Sequence, residues 1–242
     1  MIEITDLHKS FGNKKVLNGV DFVINKGETV VIIGQSGCGK SVLIKHIVGL
    51  LLPDYGKVVV ENKVVHEMSI QELYELRKKF GFLFQGAALF DSMTVEENVS
   101  LPLVESFKMS KKEIRKVVEE KLELVGLKDV LKLKPAELSG GMKKRVGLAR
   151  ALVTNPSYIL YDEPTTGLDP IMSDSIDLLI KDLSEQLNVT SVVVTHDMYS
   201  VKNVADRVAM MHQGKIYFNG STDDLINSTD KVISDFVRRT QI

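Results

Sequence analysis

A glycine-rich segment directly after an apolar run is the feature that most constrains how this 242-residue chain can fold. Residues 29–33 read Thr-Val-Val-Ile-Ile, and residues 34–41 read Gly-Gln-Ser-Gly-Cys-Gly-Lys-Ser. The first run predicts a buried strand, and the apolar spacing of residues 42–50 predicts a helix. The order of strand, glycine-rich turn and helix therefore indicates a loop that holds an anion at a helix N-terminus.

The side chains of this loop suit the phosphates of a nucleotide. A glycine-rich turn lets several backbone N–H groups approach one triphosphate closely. Lys40 is placed to reach the outer phosphates, and the Ser41 hydroxyl suits a Mg²⁺ ion that bridges them. The residues assigned to nucleotide binding here are Gly34, Gln35, Ser36, Gly37, Cys38, Gly39, Lys40, Ser41 and Val42.

Composition describes an ordinary globular protein. The chain is 44% apolar with a formal net charge of −1, so its electrostatics give no reason to expect a nucleic-acid partner. Its apolar runs are too short to span a bilayer, and its first residues lack the pattern of a signal peptide. Cys38 is the single cysteine, so no internal disulfide can form and a reducing cytoplasm fits best. Oxidation of Cys38 could block the loop, but a tolerated small side chain without a catalytic role is the simpler interpretation.

Strands and helices alternate along the chain, which predicts an α/β fold with a mainly parallel sheet. Residues 53–56 are read as a turn, and Ser69 with Glu72 is read as a capping box that opens a helix. Apolar residues between 95 and 125 recur at helical spacing and indicate an inserted helical subdomain at about 86–155 within one domain, 1–242. The other predicted strands are residues 2–7 and 16–24, which form an N-terminal antiparallel region, and 58–60, 80–84, 158–161 and 191–194; the other predicted helix is 171–187.

Five further motifs follow the glycine-rich loop in a fixed order. They are Gln85 after a strand, Leu138-Ser139-Gly140-Gly141, Asp162-Glu163 at the end of an apolar strand, Gly167-Leu168-Asp169, and His196 after the next strand. With these motifs the chain resembles the nucleotide-binding domain of ABC (ATP-binding cassette) transporters over essentially its whole length. The resemblance implies a P-loop ATPase fold and hydrolysis of ATP with Mg²⁺.

The resemblance also implies a role for each polar residue. Glu163 would polarise the attacking water, and His196, Gln85 and Lys40 would complete the catalytic set. The Mg²⁺ ligands would be Ser41, Gln85 and Asp162. Phe11 falls where this family stacks an aromatic ring on adenine, although a packed core phenylalanine is the alternative.

The motif Leu138-Ser139-Gly140-Gly141 resembles the signature of the ABC family, and its serine and glycines imply a second copy of the chain. Ser139, Gly140 and Gly141 begin a helix whose N-terminus can bind phosphate, yet the glycine-rich loop already serves its own nucleotide. By resemblance, two copies dock head to tail with ATP between the loop of one and the signature and Asp169 of the other. The usual signature continues with glutamine, whereas Met142 stands here. The basic run 143–145 is read as a solvated helix face, or alternatively as charge near the partner's nucleotide.

Residues 84–95, together with the Met-containing signature, resemble the Mla (MlaF-type) ATPases. That resemblance implies a peripheral subunit on the cytoplasmic face of the inner membrane, working with a membrane permease and possibly with MCE-domain and STAS-domain subunits to move phospholipids. The apolar stretch 87–90 would then receive a permease helix, or else would be buried within the chain. The tail after residues 236–239 is short for that family, which leaves tail-mediated dimer contacts in doubt.

Other functions remain as alternatives. The chain could serve another ABC import system, for an amino acid or an ion. A soluble ABC ATPase acting on DNA or ribosomes would normally show a coiled-coil insertion or two fused cassettes, and neither is visible. A binding module without hydrolysis is disfavoured because Lys40, Asp162, Glu163 and His196 are all present.

Overall fold

The computed structural model describes residues 1–240 as two sheets surrounded by helices. The strands are β1 (Ile2–Phe11), β2 (Lys14–Ile24), β3 (Thr29–Ile33), β4 (Tyr55–Val60), β5 (Lys63–Val64), β6 (Phe80–Leu83), β7 (Tyr158–Asp162), β8 (Thr190–Val194), β9 (Arg207–His212) and β10 (Lys215–Gly220). The helices are α1 (Lys40–Ile47), α2 (Ile70–Arg77), α3 (Val95–Ser106), α4 (Lys111–Leu124), α5 (Gly140–Leu152), α6 (Pro170–Leu187), α7 (Met198–Val204), α8 (Thr222–Ile226) and α9 (Lys231–Thr240).

The larger sheet has the strand order β10-β9-β3-β8-β7-β6. All its neighbouring pairs are parallel except β9 with β10. Strands β3, β7 and β8 are buried along their whole length, because helices cover one face of the sheet and the smaller sheet with α1 covers the other. The carboxyl ends of these three strands therefore meet at one edge, where ligands bind in open α/β sheets.

The smaller sheet, β2-β1-β4-β5, is antiparallel and covers one face of the larger one. Alternate residues of β3 point to opposite faces, so Val30 and Ile32 pack in the core beside the antiparallel sheet, and Val31 and Ile33 pack in the core beneath the helices. The predicted α/β P-loop fold, with its N-terminal antiparallel region, is confirmed.

Two predicted boundaries near the N-terminus were wrong. The first strand continues past Leu7 to Phe11 and pairs there with Lys14, so the two strands form one hairpin. The predicted turn 53–56 was too long, because its last two residues belong to β4. Tyr55 pairs with His8 of β1, and Gly56 takes a positive φ of 81° at a place where a Cβ would clash with the Asp6 carbonyl. A local irregularity in the ladder thus hid the start of this strand from a pattern-based prediction.

The predicted helical stretch 95–125 is divided into two helices. Helix α3 ends at Ser106, and Ser110 opens α4 through a capping box with Glu113. Helices α3, α4 and α5 all lie within 86–155, and their buried residues belong to the same apolar cluster as those of the parallel sheet. The 86–155 boundary of a helical subdomain remains a proposal.

Beyond His196 the prediction named no regular structure, yet α7, β9, β10, α8 and α9 follow. Strand β9 is almost fully buried beside β3, so it completes the parallel sheet rather than extending its surface. Within residues 1–240, none of the helices combines the length and apolarity needed to cross a membrane.

One buried acid weakens this core at neutral pH. Asp177 of α6 is 1% exposed, and neither of its carboxyl oxygens has a hydrogen-bond partner among the described residues. Burial raises the pKa of Asp177 to about 7, helped by the charges of Asp197 and Asp174, although the nearby Ser200 hydroxyl opposes the shift. The carboxyl group therefore favours its neutral form in the folded protein.

We expect Asp177→Asn to stabilise the protein above pH 7. Because the pKa of Asp177 is higher in the folded than in the unfolded protein, the free-energy cost of burying its charge is absent below about pH 4. This cost grows as pH rises to 7 and is constant above pH 7. The gain at pH 8 should be on the order of 2–4 kcal/mol in the free energy of unfolding. Urea unfolding at pH 4.5 and pH 8 measures it, with Asp182→Asn, an exposed acid on the same helix, as the control. An equal effect at both pH values would contradict this assignment.

Candidate nucleotide site

The glycine-rich loop leaves the end of β3 and enters α1, as predicted. Gly39 takes a φ of 109°, and a Cβ there would lie 2.9 Å from the Val16 carbonyl oxygen. Gly34 takes a φ of 150°, and a Cβ there would lie 2.5 Å from the Met211 carbonyl oxygen. Neither position tolerates a side chain, so the path of the loop requires these glycines.

The loop brings Lys40 and Ser41 close to the two acids at the end of β7, Asp162 and Glu163. Lys40 is 5% exposed, and its Nζ donates to the Gly34 carbonyl at 2.8 Å and lies 3.7 Å from Oε1 of Glu163. The Ser41 hydroxyl donates to Oδ1 of Asp162 at 2.6 Å. Residues separated by about 120 positions thus form one cluster of complementary charge, because β3 and β7 end at the same edge of the sheet.

Glu163 is held both at its backbone and at its carboxylate. It has a left-handed backbone with a φ of 51°, and its N–H donates to the Val194 carbonyl at 2.8 Å. Its Oε2 lies 2.8 Å from Nδ1 of His196 and accepts from the Thr166 hydroxyl at 3.1 Å. Left-handed backbone at an ordinary residue costs energy and persists only where surrounding contacts impose it. Glu163 is therefore fixed in direction, with His196 beside it.

Two cavities border this cluster. One of about 320 Å³ is lined by Phe11, by loop residues from Ser36 to Val42, and by Gln85 and Glu163. Phe11 is 48% exposed there, which excludes the alternative of a packed core phenylalanine. The other, of about 730 Å³, is lined by Gln35, Ser36, Gln85, Glu163, His196 and residues of α9. Gln85 borders both cavities, so the structure brings it, Phe11 and the loop to one place.

The signature lies elsewhere. Ser139 is the N-cap of α5 and accepts a hydrogen bond from the Met142 N–H at 3.2 Å, and both Ser139 and Gly140 are exposed. Asp169 is likewise exposed and caps α6 by accepting from the Met172 N–H at 3.1 Å. Neither the signature nor Asp169 lines the two cavities. The structure therefore does not bring these predicted ligands to the same chain's phosphate loop.

The prediction of a solvated face for the basic run 143–145 was wrong for two of its members. Lys144 is 5% exposed and donates to the carbonyls of Gln85 and Glu163. Arg145 donates to the Val125 carbonyl and, at 2.7 Å, to the Ser175 hydroxyl. Helical spacing could have revealed this for Lys144, because it lies three residues before Gly147 and four before Leu148, which are both buried.

Sequence reasoning also missed Thr166, whose hydroxyl fixes Glu163. No pattern marks this residue, since the contact depends on the turn that follows β7. For Cys38, burial raises the pKa of the thiol despite the opposing charge of Lys40, so the thiolate that reactions require is disfavoured. This agrees with the interpretation that Cys38 has no catalytic role.

Comparison with known proteins supports this picture. A family model described as "ABC transporter" matches residues 17–166. The chain is 42% identical over 241 residues to a protein of Mycobacterium tuberculosis named "Probable ribonucleotide transport ATP-binding protein mkl", covering 100% of this chain and 67% of the relative. It is 39% identical over 238 residues to the "Intermembrane phospholipid transport system ATP-binding protein MlaF" of Haemophilus influenzae, covering 98% of this chain and 90% of the relative.

A solved structure is also similar: the ATP-binding cassette MJ0796, in a dimeric post-hydrolysis state bound to ADP and Pi. It matches with a TM-score of 0.84 and 35% identity, covering 92% of this chain and 99% of that one. The chain belongs to the ABC transporter ATPase family, and it is an ATPase subunit that couples ATP hydrolysis to transport.

Proposed function

We propose that two copies of this chain close around two ATP molecules, with Mg²⁺, and drive a membrane permease that moves phospholipids between membranes. The observation that carries the proposal is the division of phosphate-binding groups between two separate places on one chain. One place is the loop with Glu163 and His196, and the other is the exposed N-terminus of α5.

In this proposal ATP lies along the two cavities. The Phe11 ring, exposed at the end of β1, stacks on adenine, and the loop N–H groups and Lys40 hold the phosphates. Because Lys40 lies 3.7 Å from Glu163, a phosphate would compete with that carboxylate for the ammonium charge. ATP binding would then free Glu163 to act on water.

The residues at the loop fit a magnesium ion. Ser41 and Asp162 place two oxygen atoms 2.6 Å apart, and Gln85 adds an amide nearby. Among residues 1–240 no three His, Cys, Asp or Glu side chains form a metal cluster. This suits Mg²⁺, which is commonly held by one or two protein oxygens, by water and by substrate phosphates. When bound, the ion neutralises charge that develops on the phosphates.

Hydrolysis would depend on Glu163 and His196. The Glu163 carboxylate accepts the proton of a water aligned with the γ-phosphate, and the Nδ1 contact with His196 at 2.8 Å keeps the two side chains in register. The second nitrogen of His196 is then available to the γ-phosphate. Gln85, which borders both cavities, is placed to sense whether that phosphate is present.

The signature of a second copy would complete each site. Ser139 and Gly140 are exposed and begin a helix of 13 residues, so N–H groups at its start can meet the phosphates of a neighbouring chain. The dimer of the similar cassette MJ0796 supports this arrangement. In such a dimer ATP forms part of the interface, and hydrolysis weakens it.

A permease would dock beside Gln85. Phe90 is 51% exposed, yet its loop is held in place. The buried Asn98 side chain accepts from the Phe90 N–H and donates to the Phe90 and Met93 carbonyls. Ala87 is buried, so only part of the apolar stretch is presented. An exposed aromatic ring on a rigid loop is a suitable anchor for a helix of another protein.

Phospholipid is the proposed cargo because residues 84–95 and the Met142 signature resemble the Mla branch and MlaF is 39% identical. The assembly would sit on the cytoplasmic face of the inner membrane and would include MCE-domain and STAS-domain subunits. The relative that is 42% identical is named for ribonucleotide transport, so ribonucleotides are a second candidate cargo. Amino-acid or ion import also remains an alternative.

Glu163→Gln should bind ATP at least as tightly as the wild type, because the competing carboxylate charge beside Lys40 is removed. Its turnover should fall at least about 100-fold, because an amide cannot accept the proton. With ATP the variant should accumulate as a dimer. ATP binding, phosphate release and light scattering measure these outcomes, with Glu119→Gln, an exposed acid of α4, as the control. Near-normal hydrolysis by Glu163→Gln would overturn the assignment of the base.

A photo-crosslinking amino acid at Phe90 should capture an integral membrane protein in cells. The matched control is Tyr217 on β10, which is 45% exposed and lies at the opposite edge of the sheet from β6. Capture by both positions, or by neither, would contradict docking at this loop. If an MCE-domain protein co-purifies with the captured permease, lipid cargo is supported, whereas an amino-acid or ion permease would reject it.

A further inference from the structure

A buried lysine connects the proposed docking loop to the catalytic acid. Lys144 lies in the second turn of α5 and is 5% exposed. Its Nζ donates to the backbone carbonyl of Gln85 and, at 3.2 Å, to the backbone carbonyl of Glu163. Gln85 lies two residues past β6 and Glu163 directly follows β7, so one ammonium group joins the segments that leave two neighbouring strands.

This ammonium has no carboxylate within 4 Å among residues 1–240. Burial lowers the pKa of Lys144, and the more distant charges of Glu163 and Asp162 only partly oppose this. A buried charge without a close counter-ion is unfavourable unless hydrogen bonds satisfy it. The hydrogen bonds to these two carbonyls therefore stabilise the buried ammonium of Lys144. A displacement of one carbonyl would move the ammonium relative to the other carbonyl.

The carbonyl of Glu163 belongs to the strained residue of the site. With a φ of 51°, Glu163 has both of its backbone polar groups held: its N–H donates to the Val194 carbonyl, and its own carbonyl accepts from Lys144 at 3.2 Å and from the Thr166 N–H at 3.3 Å. The direction of the carboxylate follows from that backbone. Loss of the Lys144 contact would leave the Glu163 carbonyl held by the Thr166 N–H alone, without touching the carboxylate itself.

Helix α5 is well placed to transmit such a constraint. It approaches β6 so closely that a Cβ at Gly81 would lie 2.4 Å from the Ala151 carbonyl oxygen. Farther along α5, Arg150 donates to the carbonyls of Ala87 and Ala88 at 2.6 and 2.7 Å, and both alanines have positive φ. The segment 85–88 is thus attached to α5 at two points, one of which is shared with Glu163.

We propose that Lys144 is a positioning residue that makes the direction of the Glu163 carboxylate depend on the conformation of segment 85–88. When a docked partner moves this segment, the Gln85 carbonyl shifts and the ammonium shifts with it, so the Glu163 backbone is released or restored. This inference rests on the proposed roles of Glu163 as the base and of the adjoining loop as the docking surface.

The test compares Lys144→Met with Lys144→Arg in the full chain. Lys144→Met should bind ATP with unchanged affinity but hydrolyse it roughly 10- to 100-fold more slowly, since a small misplacement of a catalytic group has effects of this size. Lys144→Arg, which still donates to carbonyls, should recover much of the rate. Lys121→Met is the matched control, because Lys121 of α4 is also desolvated but donates to the Asn155 side chain after α5 and contacts neither Gln85 nor Glu163.

A double variant separates positioning from general damage. If Lys144 acts through Glu163, adding Lys144→Met to Glu163→Gln should cause little further loss of the residual rate. A multiplicative loss, a wild-type rate in Lys144→Met, or a parallel loss of ATP affinity would each overturn the proposal. If Lys144→Met does not fold, Lys144→Gln replaces it, because its amide can still donate to one carbonyl. Lys144→Gln should hydrolyse ATP at an intermediate rate, and a wild-type rate in this variant would also overturn the proposal.

The same measurements distinguish this proposal from the function on which it rests. An inactive Glu163→Gln beside a fully active Lys144→Met would leave the ATPase assignment intact and reject only the role of Lys144. Full activity in Glu163→Gln would reject the assignment of the base itself.

Discussion

The direction of one carboxylate depends on a backbone conformation that an ordinary residue avoids. Glu163 follows a fully buried strand and turns left-handed at once, so the chain must hold it by several contacts from different elements. Val194 at the end of β8, His196, Thr166 and Lys144 supply them. The parallel sheet makes this possible, because it brings the ends of β3, β7 and β8 to one edge.

The distribution of phosphate-binding groups is the reason for the proposal that two copies of this chain act together. The loop after β3 offers N–H groups and Lys40, while the start of α5 offers a second set that lines neither cavity. Helix α5 faces outward at Ser139 but inward at Lys144 and Arg150, where it holds the segments after β6 and β7. In the proposed dimer, α5 would therefore contribute to the neighbouring copy's site at its N-terminus, while along its length it supports its own chain's site.

The sequence predicted the loop, the paired acids, Gln85, His196 and the parallel sheet, because each of these depends on local order along the chain. It did not predict Thr166 or the inward direction of Lys144, since both are defined by contacts between segments distant in sequence. The start of β4 was hidden by Gly56, whose positive φ belongs to an irregular ladder. Beyond His196 the prediction named no elements, although Ile233, Phe236 and Val237 recur at helical spacing in α9 and β9 completes the sheet. Roles for Ser139 and Asp169 come from family resemblance, and a single chain cannot display them.

The central claim is that the loop of one copy meets the signature of another across ATP, and Cys38 allows a direct measurement. It is the single cysteine of the chain and lies inside the loop. In a Glu163→Gln background, Ser139→Cys should form a disulfide-linked dimer under mild oxidation with ATP, because disulfides require Cα atoms within about 7 Å. Without ATP, or after Cys38→Ser, the linked dimer should be lost. If it forms equally without ATP or without Cys38, or if it does not form although Cys38 still reacts with a small disulfide reagent, the two halves do not meet and the account is contradicted.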